Sequence, residues 1–247
     1  MHIGVISDIH GNYPALQAVL DDMPGVDTII SLGDVVGYGP HPQKTAKKIK
    51  EVTSTSLRGN HETYLEHPEH AAGNKGAHEG IKHAREQLSD DLLEWLTTRP
   101  YQDVIANDIG IAHGHPDPDT PFAYVKKGSV TDLIPVLREQ EYVIQAFGHT
   151  HVQFKQDLSK FNDDAGLVFN PGSVGQPRDK NPKAAYAVIN TNRLQNELTE
   201  AVTLHRTEYP IDETVQSITT HGLPKENGAR LRTGQYPRNQ RNKSDWY

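Results

Sequence analysis

The chain has 247 residues, enough for one large core, and 35% of them are hydrophobic. It contains no cysteine, which excludes disulfides and thiolate ligands and leaves histidine, aspartate and asparagine as metal-binding chemistry. The net charge of −7 argues against a broad polyanion-binding surface, so nucleic acid is an expected partner only through residues 221–247, where six Lys or Arg face two Asp or Glu.

The first apolar run is cut at Asp8, far too short for a signal peptide or a membrane span, so the chain reads as a cytoplasmic protein with no membrane partner. Residues 2–6 form a short strand that runs into Ser7-Asp8-Ile9-His10. At extended spacing, side chains two apart leave on the same side. Asp8 and His10 can then reach one ion from the strand's carboxyl end, where α/β sheets bind ligands. Gly11-Asn12-Tyr13-Pro14 opens a helix, with Asn12 the N-cap, Pro14 in the first turn, and Leu16, Val19, Leu20 and Met23 as the buried stripe. Residues 26–32 form a second strand that stops at Gly33-Asp34, and Gly37, Gly39 and Pro40 hold an irregular turn. A polar helix at residues 42–49 leads to a third strand at 53–57 and then to Arg58-Gly59-Asn60-His61-Glu62. This alternation predicts a mainly parallel sheet with helices against it.

Residues 62–96 carry a helical pattern with Leu88, Leu92, Trp95 and Leu96 as core. His67, His70, His78 and His83 lie there without a strand end beside them and read as a solvated face. A strand pair at 104–106 and 110–112 leads into His113-Gly114-His115. A helix at 130–137 and a buried strand at 143–147 lead to Gly148-His149-Thr150-His151, again two ligand types two apart. Further strands are expected at 167–169, 184–189 and 198–205, with the rigid loop Asn170-Pro171-Gly172-Ser173-Val174-Gly175-Gln176-Pro177-Arg178 between the first two. A short helix after Pro210 stops near Gly222. Composition then predicts one domain over residues 1–221 and a basic, extended tail over 222–247.

Each motif alone is a turn. In order, they place imidazoles and carboxylates at successive strand ends, which is the pattern of a binuclear metal site with Asp34 between the ions. A carboxylate has two oxygens and a full charge, so one side chain can hold two dications ~3.5–4 Å apart.

Asp8-x-His10, Gly33-Asp34, Gly59-Asn60-His61-Glu62, His113 and Gly148-His149-x-His151 resemble the calcineurin-like metallophosphoesterase superfamily over residues 1–205. Residues 36–40 and 170–178 are similar to further signatures of its small prokaryotic phosphodiesterase branch. The resemblance implies an α/β (α+β) fold, a four-layer sandwich of two facing mixed β-sheets flanked by helices. It implies a first metal on Asp8, His10, Asp34 and His151, and a second on Asp34, Asn60, His113 and His149. His61 would be catalytic, protonating the leaving oxygen or stabilising phosphoryl charge, with Asn60, His61 and Arg178 binding substrate. The cofactors would be two divalent metal ions, manganese foremost, with iron, nickel, zinc and cobalt also suited. The substrate would be a small phosphodiester, cut by a hydroxide shared between the ions.

Other readings stand beside this one. The same residues suit a hydrolase of phosphomonoesters or dinucleoside polyphosphates, and the fold also serves as a non-catalytic scaffold. His61 reads equally as a residue that only orients a ligand, and Arg178 as half of a loop salt bridge. Glu62 stands where the family usually has aspartate, His115 where a small residue is frequent, and His83 where a tryptophan is frequent. These departures bear on the pocket. Oligomeric state is left open.

Overall fold

Strand β1 (His2–Ile6) is buried from Ile3 onward, the pattern of a strand covered on both faces. A computed structural model describes residues 1–23, 25–161 and 166–235. After β1 come α1 (Tyr13–Asp22), β2 (Thr28–Ser31), α2 (Pro42–Val52), β3 (Thr55–Ser56), α3 (Asn60–Glu66), α4 (Lys75–Gln87) and α5 (Asp90–Thr97). The second half holds β4 (Gln102–Ile105), β5 (Ile109–Ala112), α6 (Ile134–Glu139), β6 (Ile144–Phe147), β7 (Phe154–Asp157) and β8 (Leu167–Asn170). The chain then returns through β9 (Ala184–Asn190), α7 (Leu198–Ala201), β10 (Val202–Thr207), α8 (Ile211–Thr220) and α9 (Lys225–Leu231).

Two five-stranded mixed sheets result, in the orders β10-β9-β1-β2-β3 and β4-β5-β6-β8-β7. In the first, β1 runs parallel to β2, with Ile3 opposite Thr28 and Ile6 opposite Ser31, and antiparallel to β9. In the second, β5, β6 and β8 are parallel, with β4 and β7 antiparallel at the edges. The apolar faces of the two sheets meet through Ile3, Val5, Ile30 and Leu32 on one side and Ile111, Ile144, Ala146 and Phe169 on the other. Leu16, Val19, Ile49, Ile81 and Leu96 cover the outer face of the first sheet, and Val130, Leu133 and Leu137 cover that of the second. These are the four layers of the sandwich that the resemblance implies.

Four local expectations change. The stretch 154–157 is a strand, which its alternation does not signal because only Phe154 of the four is fully buried on this sheet edge. Residues 198–201 are a helical turn rather than the start of a strand. The 130–137 helix is split: a 3-10 segment covers Lys127–Leu133 and α6 begins where Pro135 fits its first turn. The extended tail from residue 222 is instead helical over Lys225–Leu231, packed on α8 through Ile218, Leu223 and Leu231. Helix propensity is low at Asn227-Gly228 in the middle of this short segment, so tertiary packing decides. Residues 236–247 of that call lie outside the described residues. Among the described residues no helix is long and apolar enough to cross a membrane.

Candidate metal centre

The loops that follow β1 and β2 are laced together. Asp8 N donates to Gly33 O (3.0 Å), His10 N to Asp34 O (2.9 Å) and Gly11 N to Val35 O (2.9 Å), so the parallel ladder continues past both strand ends. The backbone there is not extended. Asp8, His10 and Asp34 have φ of 53°, 50° and 53°, and His149 and His151 have 65° and 58°. Left-handed residues of this kind cost about 1 kcal/mol or more each and persist where surrounding structure over-determines them. Asp8 and His10 therefore converge by a left-handed turn, not by the strand spacing that the sequence suggests. Two glycines let the loops close in: a Cβ on Gly59 would collide with Asp34 Oδ1, and one on Gly148 with Ser7 Oγ.

Three histidine rings are aimed by main-chain carbonyls. Nδ1 of His10 donates to Val36 O (3.1 Å), that of His113 to Leu32 O (2.8 Å) and that of His151 to Gln176 O (2.6 Å). A carbonyl only accepts, so each ring keeps a hydrogen at Nδ1 and turns Nε2 inward, as a lone pair in His10 and His151, whose pKa values burial lowers. The Nε2 atoms of His10 and His151 are 3.1 Å apart. Asp34 Oδ2 lies 3.6 Å from His10 Nε2 and 3.5 Å from His113 Nε2, and Asp8 Oδ1 lies 3.1 Å from His151 Nε2. Asn60 Oδ1 is 3.3 Å from His113 Nε2. All these residues are buried. Two groups of ligand atoms share Asp34: Asp8, His10, Asp34 and His151 form one, and Asp34, His113 and His149 the other, each within 4.8 Å internally. The sequence-predicted metal residues are thus brought together on both sides of one carboxylate.

Electrostatics says what belongs between them. Burial pushes His10 well below its ordinary pKa, and burial with nearby His113 takes His149 down to about 3, so these rings stay neutral. Burial works against ionisation of Asp8 and Asp34, yet the imidazoles beside them hold both carboxyls below the usual range. Burial likewise opposes charge on His113, but Asp34 outweighs it and raises His113 to about 9, so its Nε2 carries a proton toward Asp34 that a bound cation would displace. Asp8 Oδ2 accepts from Ser7 Oγ and His149 N, whereas buried Oδ1 has no hydrogen-bond donor among the described residues. Acceptors facing acceptors in a buried pocket call for cations, and an imidazole, carboxylate and carboxamide donor set suits a first-row dication.

His61 and Arg178 stand beside this cluster. Both line a cleft of about 330 Å³ with Asp34, Asn60, His149 and His151, and its walls add Tyr38, Tyr64, Phe122 and Tyr124. Tyr124 stacks on His149 at 4.3 Å between ring centres. Burial takes His61 down to about 4 against the pull of Asp34. Of the helical histidines, His67 and His70 are exposed, while His78 and His83 hydrogen-bond the carbonyls of Pro68 and Pro40.

Sequence reasoning missed the residues that hold the loops. Glu62 accepts from the backbone N–H of Asp34 (2.9 Å), Val35 (2.8 Å), Val36 (3.3 Å) and Gly59 (2.8 Å), and burial with Asp34 nearby raises its pKa to about 7. Its place at the third position of a helix that starts after Gly59 was the available signal. Asn170 Nδ2 donates to Gly148 O (2.6 Å), and Ser173 Oγ to Asp8 O (2.7 Å), tying the 170–178 loop to both halves.

Two facing mixed sheets with histidines, aspartates and an asparagine gathered at their carboxyl ends define a metallophosphoesterase. The chain belongs to the calcineurin-like phosphoesterase superfamily, whose domain model matches residues 1–194, and within it to the small prokaryotic branch. It is 30% identical to a metallophosphoesterase from Sphaerobacter thermophilus, whose crystal structure superposes with a TM-score of 0.78 over 95% of this chain and 100% of that one. It is 29% identical to the protein MJ0912 of Methanocaldococcus jannaschii over 94% of this chain and 98% of the relative. It is 26% identical to the phosphodiesterase YfcE of Escherichia coli over 78% and 90% respectively. The family is metal-dependent and hydrolyses phosphoric esters.

Proposed function

We propose that the protein is a phosphodiesterase working with two divalent metal ions, manganese foremost. Asp8, His10, Asp34 and His151 would hold one ion, and Asp34, Asn60, His113 and His149 the other. The observation that carries this reading is the 3.1 Å approach of the His10 and His151 Nε2 atoms, with Asp34 Oδ2 nearly equidistant from His10 and His113. Such ions, when bound, supply Lewis acidity that acidifies water and neutralises phosphate charge.

The chain's own groups do the rest. The Asn60 amide and the Arg178 guanidinium line the cleft beside the cluster, where they would bind phosphoryl oxygens and orient the ester. His61 lies between His10 and Tyr64, with ring centres 4.5 and 5.4 Å away, and would hold its N–H to the ester oxygen on which charge develops. Tyr38, Tyr64, Phe122 and Tyr124 give the cleft apolar walls for the two ester arms of a diester. A scaffold that had abandoned catalysis would have no use for all seven donors. The relationship to YfcE, a phosphodiesterase, over most of the chain supports the diester reading.

The test is turnover by manganese-loaded protein of bis-p-nitrophenyl phosphate beside p-nitrophenyl phosphate. Faster cleavage of the diester is expected. An untouched diester with rapid cleavage of the monoester would replace this reading with a phosphomonoesterase.

A further inference from the structure

Helix α9 comes from the stretch whose composition reads as a tail, yet two of its side chains grip the turns that aim the site. Asn227 Nδ2 donates to Tyr38 O (3.0 Å) and to Gly76 O (3.1 Å). Arg230 is 2% exposed; its guanidinium carbon lies 5.3 Å from the centre of the Tyr38 ring and its Nη1 3.4 Å from Gln176 Oε1. Both partners touch the site on their other side. The Tyr38 ring is 4.8 Å from those of His10 and His61, and Gln176 O receives the Nδ1 hydrogen of His151.

The same two groups hold Arg178. Its Nη2 donates to Gln176 Oε1 at 3.3 Å and its guanidinium carbon is 6.0 Å from the centre of the Tyr38 ring. One amide oxygen, which has two lone pairs, and one aromatic ring are therefore shared by two guanidinium groups. Arg178 lines the cleft and Arg230 stands behind it. A long side chain loses rotamer freedom when it clamps an anion, and a donor already held in place loses less.

We propose that Arg230 is a positioning residue: through Gln176 and Tyr38 it holds Arg178 in the orientation that meets the substrate's phosphate, which makes α9 part of the active site. The proposal rests on the phosphoesterase reading for the role of Arg178. Its mark is coupling between two residues, only one of which reaches the ligand.

The experiment is calorimetric titration of manganese-loaded, full-length protein with inorganic phosphate. It compares wild type, Arg230→Met, Arg178→Ala and the double variant, with metal content and thermal unfolding measured on each. Arg230→Met is expected to keep its metal and fold and to bind phosphate about tenfold more weakly. In the Arg178→Ala background the same change should cost nothing further. Wild-type affinity in Arg230→Met, losses that multiply in the double variant, or loss of metal in step with affinity would each overturn the proposal. If Arg230→Met fails to fold, Arg230→Lys, which keeps the charge but not the planar fork, takes its place with the same expected pattern. Phosphate binding needs no turnover. A coupled pair in a protein that cleaves no ester would defeat the enzymatic reading alone, and a loaded wild type that takes no phosphate would defeat both.

Discussion

His10 Nε2 and His151 Nε2 face each other at 3.1 Å although 141 residues separate them in the chain, and each ring has its hydrogen engaged elsewhere by a carbonyl. Two lone pairs pressed together in a buried site are destabilising until a cation lies between them. Chelation should therefore lower thermal stability. With manganese at about a hundredfold its dissociation constant, linkage adds ~2.7 kcal/mol, a shift of roughly 5–10 °C for a chain of this size. Calorimetric scans with manganese and with EDTA measure it, and superimposable scans would remove the metal site.

Asp34→Ala takes away the oxygen that stands between the two groups, so elemental analysis should find both ions lost. Asn60→Ala removes a donor from one side only and should leave the other ion in place. Two ions per chain in the Asp34 variant would refute the bridge.

His61→Ala leaves every metal donor in place, so metal content should be unchanged while kcat drops by ~10²-fold or more. Kinetics equal to wild type would make His61 a residue that only orients its neighbours.

Glu62→Ala strands four buried N–H groups that have no other acceptor among the described residues. About 3 kcal/mol or more of stability should go with it, read as a lower urea midpoint at unchanged slope. Glu62→Gln keeps one acceptor oxygen and should cost roughly half as much.

Ending the chain after Gly222 should now be harmful. It uncovers Ile218 and removes Leu223 and Leu231, each worth about 1.5–3 kcal/mol of burial, together with both α9 contacts to Tyr38. Urea unfolding and diester turnover of the shortened chain check this, and an active variant of wild-type stability would return α9 to the role of a tail.

Much of the clustering was legible because side-chain type is local chemistry: Asp8, His10, Asp34, Asn60, His113, His149 and His151 all follow strand ends that apolar runs mark plainly, and the structure gathers them. The two-sheet architecture came through the family resemblance, since the alternation alone points only to one parallel sheet. What stayed hidden depends on contacts distant in sequence. The left-handed backbone at Asp8 and Asp34 exists because two loops hydrogen-bond each other, and no propensity announces it. Glu62 reads as a conservative variant of a motif until its four N–H partners are seen. Arg230 belongs to a polar heptapeptide whose burial comes from Tyr38 and Gln176, far earlier in the chain.

The donors arrive from two directions. Asp8, His10, Asp34 and Asn60 follow strands or loops of the first sheet, and His113, His149 and His151 follow β5 and β6 of the second. Leu32, Ile111, Ala146 and Phe169 fill the seam between those sheets and so act as its spacer gauge. A bulkier side chain at Ala146 would pry the halves apart and detune the cradle from deep inside the protein, without altering a single donor.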